Sequence, residues 1–108
     1  MATSPIRFEV LVNGKPFATS GVGNDYGVLT AVVNWVRRSP AAISEKARSM
    51  DGFDEAAFLA ESCGLDLSAL DSGVKQHSSW EHRALAVGDV VTIRILPGGE
   101  YDPPTTTA

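Results

Sequence analysis

The feature that most constrains this chain is an Asn-Gly pair set between two short runs of strand-like sequence. Residues 6–12 alternate apolar and polar side chains, which is the period of a strand with one buried face. Asn13-Gly14 follows directly and tolerates the positive φ angles of a type I′ turn. Residues 15–20 are predicted to form the returning strand, with Pro16 on an edge or facing outward because it lacks an amide hydrogen. The sequence therefore predicts an N-terminal β-hairpin.

A long helix is predicted to follow the hairpin. Asp25 is a candidate N-cap, and apolar residues recur at spacings of three and four through residues 26–38. These residues are Val28, Leu29, Val32, Val33 and Val36. Two arginines complement the negative end of the helix dipole, and Ser39-Pro40 is expected to stop the helix.

The middle of the chain is open to two interpretations. Residues 41–50 are predicted to form a short amphipathic helix, ended by Asp51-Gly52. Residues 53–63 favour a helix by propensity, with Gly64 as its cap. Residues 58–65 could equally supply an inner strand, since a short apolar run does not distinguish the two. The polar residues 67–83 are predicted to form a loop.

The last strand is predicted over residues 90–96, which are apolar except for Thr92 and Arg94. Such a run is typical of a strand in the centre of a sheet. Residues 97–99 end it, and residues 100–108 show no packing pattern. We therefore expect one domain, 1–108, with a folded core over 6–97 and flexible tails at 1–5 and 100–108.

Composition limits the classes of partner and the compartment. The 108 residues suffice for one hydrophobic core, and the net charge of −4 argues against general attraction to nucleic acid or to an anionic membrane. No apolar run is long enough to span a bilayer. Cys63 is the only cysteine, so an internal disulfide is impossible and a cytoplasmic setting is expected.

Several short motifs together suggest a family. They are Asn13-Gly14, Val28-Leu29, Trp80, Leu85, Gly88-Asp89, the strand 90–96 and Gly98-Gly99. In this order they resemble the β-grasp fold of ubiquitin-like proteins, and more narrowly the small sulfur-carrier proteins of thiamin and molybdopterin synthesis. The resemblance covers the two ends of the chain and misses residues 39–76.

The resemblance implies an α+β fold. A mixed sheet of about four strands would pack on one main helix, with a helical or loop insertion in the middle of the chain. The last strand would pair beside the first in parallel, and the helix would supply the crossover. In carrier relatives a terminal Gly-Gly is activated by adenylation, so Gly98 and Gly99 would be the reactive end once the tail is removed. The simpler interpretation of this pair is a turn that ends the strand.

Other candidate sites also have simpler interpretations. The glycines of residues 21–27 lie where a dinucleotide loop would, but their spacing does not match the fingerprint. His77 and His82, with Cys63 or Asp71, match no zinc spacing. A lone cysteine is more often a small buried hydrophobe than a nucleophile. We expect no catalytic residue, no metal and no cofactor.

The sequence thus favours a small non-catalytic protein-binding module, such as an adaptor, an inhibitor or an immunity-type factor in a bacterial setting. The expected contact residues are His77, Trp80, His82 and Arg94. A protein partner is expected, and neither nucleic acid nor a membrane is. Two alternatives stay open, a carrier or ubiquitin-like modifier activated at Gly99 and a small-molecule or nucleotide binder. Composition and motifs leave the partner and the oligomeric state undetermined.

Overall fold

The protein is built mainly of strands. A computed structural model describes residues 5–108, of which 46% lie in strands and 12% in helices. Of the tail predicted at 1–5, residues 1–4 lie outside the described residues. In chain order the elements are β1 (Ile6–Val12), β2 (Lys15–Ser20), β3 (Gly27–Val36), a 3₁₀ helix (Pro40–Ala42), α1 (Glu45–Arg48), α2 (Glu55–Leu59), β4 (Ser62–Asp71), β5 (Gln76–Ser79), β6 (Arg83–Ala84), β7 (Val91–Pro97) and β8 (Thr106–Thr107).

The strands form two antiparallel sheets, which we call sheet A and sheet B. Sheet A has the order β2-β1-β7, and sheet B has the order β3-β4-β5-β8 with β6 also paired to β4. The predicted α+β, β-grasp-like fold is therefore wrong, because residues 5–108 are mostly strand in two sheets with two small α-helices, and not a mixed sheet packed on one main helix. The last long strand, β7, does lie beside β1, but it runs antiparallel and at the sheet edge rather than in the centre.

The predicted N-terminal hairpin is confirmed. Asn13 and Gly14 have φ angles of 53° and 77°, the left-handed values that a type I′ turn requires. Pro16 is exposed and lies on edge strand β2, where its missing amide hydrogen costs nothing. Asn13 also ties the turn to the residue before β7, since its backbone N–H donates to the Val90 oxygen at 2.8 Å and its side-chain oxygen accepts from the Val90 N–H at 2.9 Å.

The Gly-Asp turn before β7 is held by the Asp89 carboxylate. Its oxygens accept hydrogen bonds from the Asn13 side-chain amide at 3.0 Å and from the Ala86 N–H at 2.8 Å. The hydrogen bond from Asn13 lowers the pKa of Asp89 most, and the bond from Ala86 lowers it further. The positive charge of Arg83 adds a smaller effect in the same direction.

Asp89 should therefore make stability depend on pH at the acid end. Its contribution is fully present above the unfolded pKa, about 3.9, and is lost as pH falls through the lower folded pKa. Asp89→Asn should show a smaller loss of unfolding free energy than the parent between neutral pH and about pH 3. Urea unfolding at both pH values measures this, and equal losses in the two proteins would contradict it.

The predicted long helix over residues 26–38 is replaced by β3, so Asp25 caps no helix. The segment is rich in β-branched residues, which fit a pleated sheet better than a helix. Every residue of β3 pairs with β4, from Gly27 opposite Asp71 to Val36 opposite Ser62. The apolar spacing that suggested a helical stripe is divided between the two faces of a strand.

The core lies between the inner faces of the two sheets. Sheet A contributes Val10 and Val12, and β4 contributes three alternating residues. These are Leu65, Leu67 and Ala69. The ambiguous stretch 53–65 thus contains both a helix and the start of a strand, and the loop predicted over residues 67–83 includes half of β4 and all of β5.

Residues 100–108, predicted to be a flexible tail, are instead part of the fold. The Tyr101 ring packs edge-on against Trp80 with centroids 6.5 Å apart. The Asp102 oxygen accepts from Trp80 Nε1 at 2.9 Å, and Asp102 exchanges two hydrogen bonds with the Thr19 backbone. Strand β8 then pairs with β5. The segment closes the side of the core beside β2 because Trp80 needs both an apolar neighbour and a hydrogen-bond acceptor.

Residues 37–61, which we call the tip segment, connect β3 to β4. Ser44 and Asp54 cap α1 and α2 by accepting from the N–H groups of Ala47 and Ala57 at 3.1 Å. The rings of Phe53 and Phe58 pack 5.9 Å apart. The molecule is elongated, with a longest extent of 58 Å and a radius of gyration of 17.7 Å, against about 13 Å expected for a compact chain of this length.

Candidate interaction surface

Two of the four predicted contact residues lie on the β5 side of the molecule. His77 is exposed on β5, and its backbone exchanges hydrogen bonds with Ala108 at 2.9 and 2.7 Å. Trp80 is only 6% exposed and belongs to the core. Burial leaves Trp80 inaccessible to a partner, so its role in the fold is structural.

The other two predicted contact residues lie elsewhere. Nδ1 of His82 lies 2.8 Å from Asp66 Oδ1 beside β4. Arg94 lies on β7, where its guanidinium is 3.3 Å from Glu9 Oε1. The four residues thus lie on different elements, with Trp80 in the core and Arg94 on the other sheet.

The Gly98-Gly99 pair is fixed against the start of β1. Arg7 Nε donates to the Pro97 oxygen at 2.9 Å, and its Nη1 donates to the Glu100 oxygen at 2.8 Å, so one side chain brackets the pair. A Cβ added at Gly98 would collide with the carbonyl oxygen of Pro5. Glycine at this position is explained by close packing of two backbones.

The structure also locates the residues whose chemistry could suit a metal, a nucleotide or a small ligand. In residues 5–108 no three His, Cys, Asp or Glu side chains are close enough together to hold a metal ion. Residues 23–26 form bends and lead into a strand, so the segment 21–26 does not place a helix N-terminus where a phosphate would bind. A cavity of about 190 Å³ lies against Trp80, Tyr101 and Asp71, whose carboxylate is already bonded to the Asn24 amide at 2.8 and 2.9 Å.

The most unusual feature of the surface is the outer edge of β3. This strand has ten residues and pairs with β4 along its whole length. Within the described residues 5–108 no strand pairs with its other edge. Its sequence contains neither a charged residue nor a proline. Natural edge strands usually carry one of these to block pairing with another chain, so β3 is an unprotected edge.

Apolar side chains on the inner face of sheet B are uncovered along this edge. Val33 and Trp35 pair with Leu65 and Cys63, so they share the inner face, yet they are 54% and 57% exposed. A cavity of about 300 Å³ opens beside the start of the strand and is lined in part by Leu29. The inner face of β3 is therefore buried only over part of its length.

Sheet A shows the same property at β7. Ile93 and Ile95 pair with Val10 and Phe8 and so lie on the inner face of sheet A. They are nevertheless 41% and 68% exposed. Single exposed apolar residues are ordinary, but a row of them on the inner face of an edge strand is typical of an interaction site.

Opposite charges flank β3. Asp25 precedes it and lines the 300 Å³ cavity, and Arg37 follows it with its guanidinium 5.2 Å from the centre of the Trp35 ring. Arg37 also lies 3.5 Å from Glu61, in a pair whose side chains are both more than half exposed. We call β3 together with Asp25 and Arg37 the β3 surface.

The sequence prediction missed the β3 surface because it assigned the segment to a helix. The available signals were the high content of valine and the absence of charge from residue 27 to residue 36. A solvated helix face would normally carry charged residues over that length.

Comparison with known proteins adds no assignment. No family model, no curated protein and no solved structure matches the chain. None of the helices in the described part of the chain is long and apolar enough to cross a membrane.

Proposed function

We propose that this chain is a non-catalytic protein-binding module that takes up an extended segment of another polypeptide chain along the free edge of β3. The observation that carries the proposal is the ten-residue unprotected edge with uncovered apolar side chains on its inner face. In recognition by strand addition, main-chain hydrogen bonds supply affinity and alternate side chains supply specificity. The β3 surface offers both.

Trp35 and Val33 are the expected anchors. Trp contributes a large apolar area and is among the residues that most often dominate interface energies. An added strand would place every second side chain on the inner face beside these two residues. We therefore expect the preferred partner segment to alternate apolar and polar residues and to lack proline. We also propose a cytoplasmic location, because Cys63 is the single cysteine and cannot form an internal disulfide.

A lysine in the strand tests the proposal. Val33→Lys puts a charge at a position that is already 54% exposed, so the fold should survive while an added strand would have to bury or displace the charge. Val87→Lys is the matched control, since Val87 is fully exposed in the loop before β7.

The measurement is affinity capture from an extract of the source cells, with both variants and the parent as baits. The amount of protein captured by the parent and by Val87→Lys should fall roughly tenfold or more with Val33→Lys. A tenfold loss of affinity corresponds to about 1.4 kcal/mol, and burying an unpaired charge costs more than this. Equal retention by all three baits, with equal thermal midpoints, would contradict the proposal.

A further inference from the structure

We infer that the strand bound at the edge of β3 is β3 of a second copy of this chain, paired antiparallel about a twofold axis at Ala31. The inference rests on the proposed function, since it names the partner of the same surface. The inference comes from the charges around β3. The strand itself carries no charged residue, and the residues that flank its two ends carry opposite charges.

Charge complementarity selects the direction and the register. When two identical strands pair antiparallel, the start of each lies beside the end of the other. Asp25 of one copy can then lie opposite Arg37 of the second, and the symmetry repeats this ion pair at the other end. A parallel arrangement would instead place like charges side by side, which is destabilising.

Once Asp25 lies opposite Arg37, the remaining pairs follow. Ala31 meets its own equivalent at the axis, and Leu29 lies opposite Val33 of the second copy. Gly27 lies opposite Trp35 of the second copy. No pair in this register brings two charged residues of the same sign together.

Symmetry also supports this register. Antiparallel strands of one sheet are related by a twofold axis normal to the sheet, so the inner faces of both copies lie on the same side. Only residues of the same face can then lie opposite each other, because side chains alternate between the faces. Leu29, Val33 and Trp35 all belong to the inner face, with the buried residues of β4. The match of charges therefore agrees with the match of faces.

The pairing would cover both the unpaired edge of β3 and its exposed apolar side chains. The edge would become an interior position of a sheet that continues from one copy into the other, and Val33 and Trp35 would gain apolar neighbours across the junction. The existing contact of Arg37 with Glu61, at 3.5 Å between two exposed side chains, is weak and leaves the guanidinium free to pair with Asp25.

Disulfide trapping tests the register. In a Cys63→Ser background, Ala31→Cys places two thiols directly opposite each other, with Cα atoms about 4.5 to 5.5 Å apart, which is within the range that a disulfide spans. Val33→Cys is the matched control on the same face, because the two copies of residue 33 would lie roughly 13 Å apart along the strands. Mild oxidation should give covalent dimer for Ala31→Cys in most of the protein and little for Val33→Cys. The reverse pattern would overturn the register.

Charge reversal tests the partner. Asp25→Arg and Arg37→Asp should each weaken the dimer about tenfold, because two attractive surface pairs become repulsive. An equimolar mixture of the two variants should restore association as a heterodimer, since each new charge then meets its opposite. Sedimentation velocity over a concentration series gives the dissociation constants, and failure of the mixture to associate more tightly than either variant would overturn the inference.

Sedimentation of the parent chain separates this inference from the proposed function. A dimer that Val33→Lys converts to monomer supports both. A monomer at every concentration overturns the second copy as occupant, and loss of captured proteins with Val33→Lys then preserves the proposed function. A monomer whose captured proteins are unchanged by Val33→Lys overturns both.

Discussion

A chain that ends at Gly99 should lose at least about 3 kcal/mol of its free energy of unfolding. The truncation removes Tyr101 from its contact with Trp80 and takes away the Asp102 oxygen that accepts from the buried indole N–H. Leaving a buried donor without an acceptor costs about 1 to 3 kcal/mol by itself, and the lost aromatic packing adds to this. Small domains have only about 5 to 15 kcal/mol in total, so partial unfolding is expected.

A chain that ends at Asp102 is the matched control. It keeps Tyr101 and the contacts of Asp102 with Thr19 and Trp80 but loses β8, so it should retain most of the stability that the shorter chain loses. Urea unfolding of both chains and the parent measures the difference. A fully stable chain ending at Gly99 would contradict the account and would favour the carrier alternative, which requires processing at that residue.

Leu65→Ala should cost about 2 to 5 kcal/mol, whereas Leu70→Ala should cost less than about 1 kcal/mol. The two leucines lie on the same strand, β4, but Leu65 is fully buried on the inner face and Leu70 is 40% exposed on the other. Removing buried methyl groups loses the transfer free energy and leaves a cavity, while an exposed side chain loses little.

This pair of variants tests the strand alternation of β4 directly. The free energies of unfolding from urea titrations should differ several-fold between them. Similar costs for the two would show that residues 65 and 70 have similar environments, which is incompatible with alternate burial along a strand.

The parts of the fold that could be predicted are those with a local cause. Asn13-Gly14 fixes its turn through backbone angles that few other pairs adopt, so the N-terminal hairpin is evident from the sequence. The last long strand was predicted at 90–96 and is found at Val91–Pro97, because a run of β-branched residues of that length has few alternatives. Neither prediction depended on distant residues.

The parts that failed depend on distant partners. Val32 and Val33 satisfy a helical spacing and a strand equally well, and only the ten-residue pairing with β4 decides between them. Tyr101 and Asp102 resemble a polar tail until Trp80 and Thr19 are brought beside them by the two sheets. The predicted β-grasp-like fold had to fail with the helix, since that fold is defined by a helix packed on the sheet.

The candidate site could not be predicted from residue types. The chemistry of His77, His82 and Arg94 favours them as contact residues, but they lie on different elements and none belongs to β3. The β3 surface consists instead of an unprotected backbone edge and two apolar side chains, which become visible only when the neighbours of each strand are known.

Hydrogen exchange at the amides of β3 tests the central claim most directly. In the free chain, the amides of residues 27–36 that point away from β4 should exchange rapidly, while those bonded to β4 exchange slowly. When the chain is bound to the protein it captures, or assembled with its own copy, the rapid set should become protected in an alternating pattern along β3. Protection confined to the tip segment, with the outer amides of β3 still exchanging rapidly, would contradict strand addition at this edge.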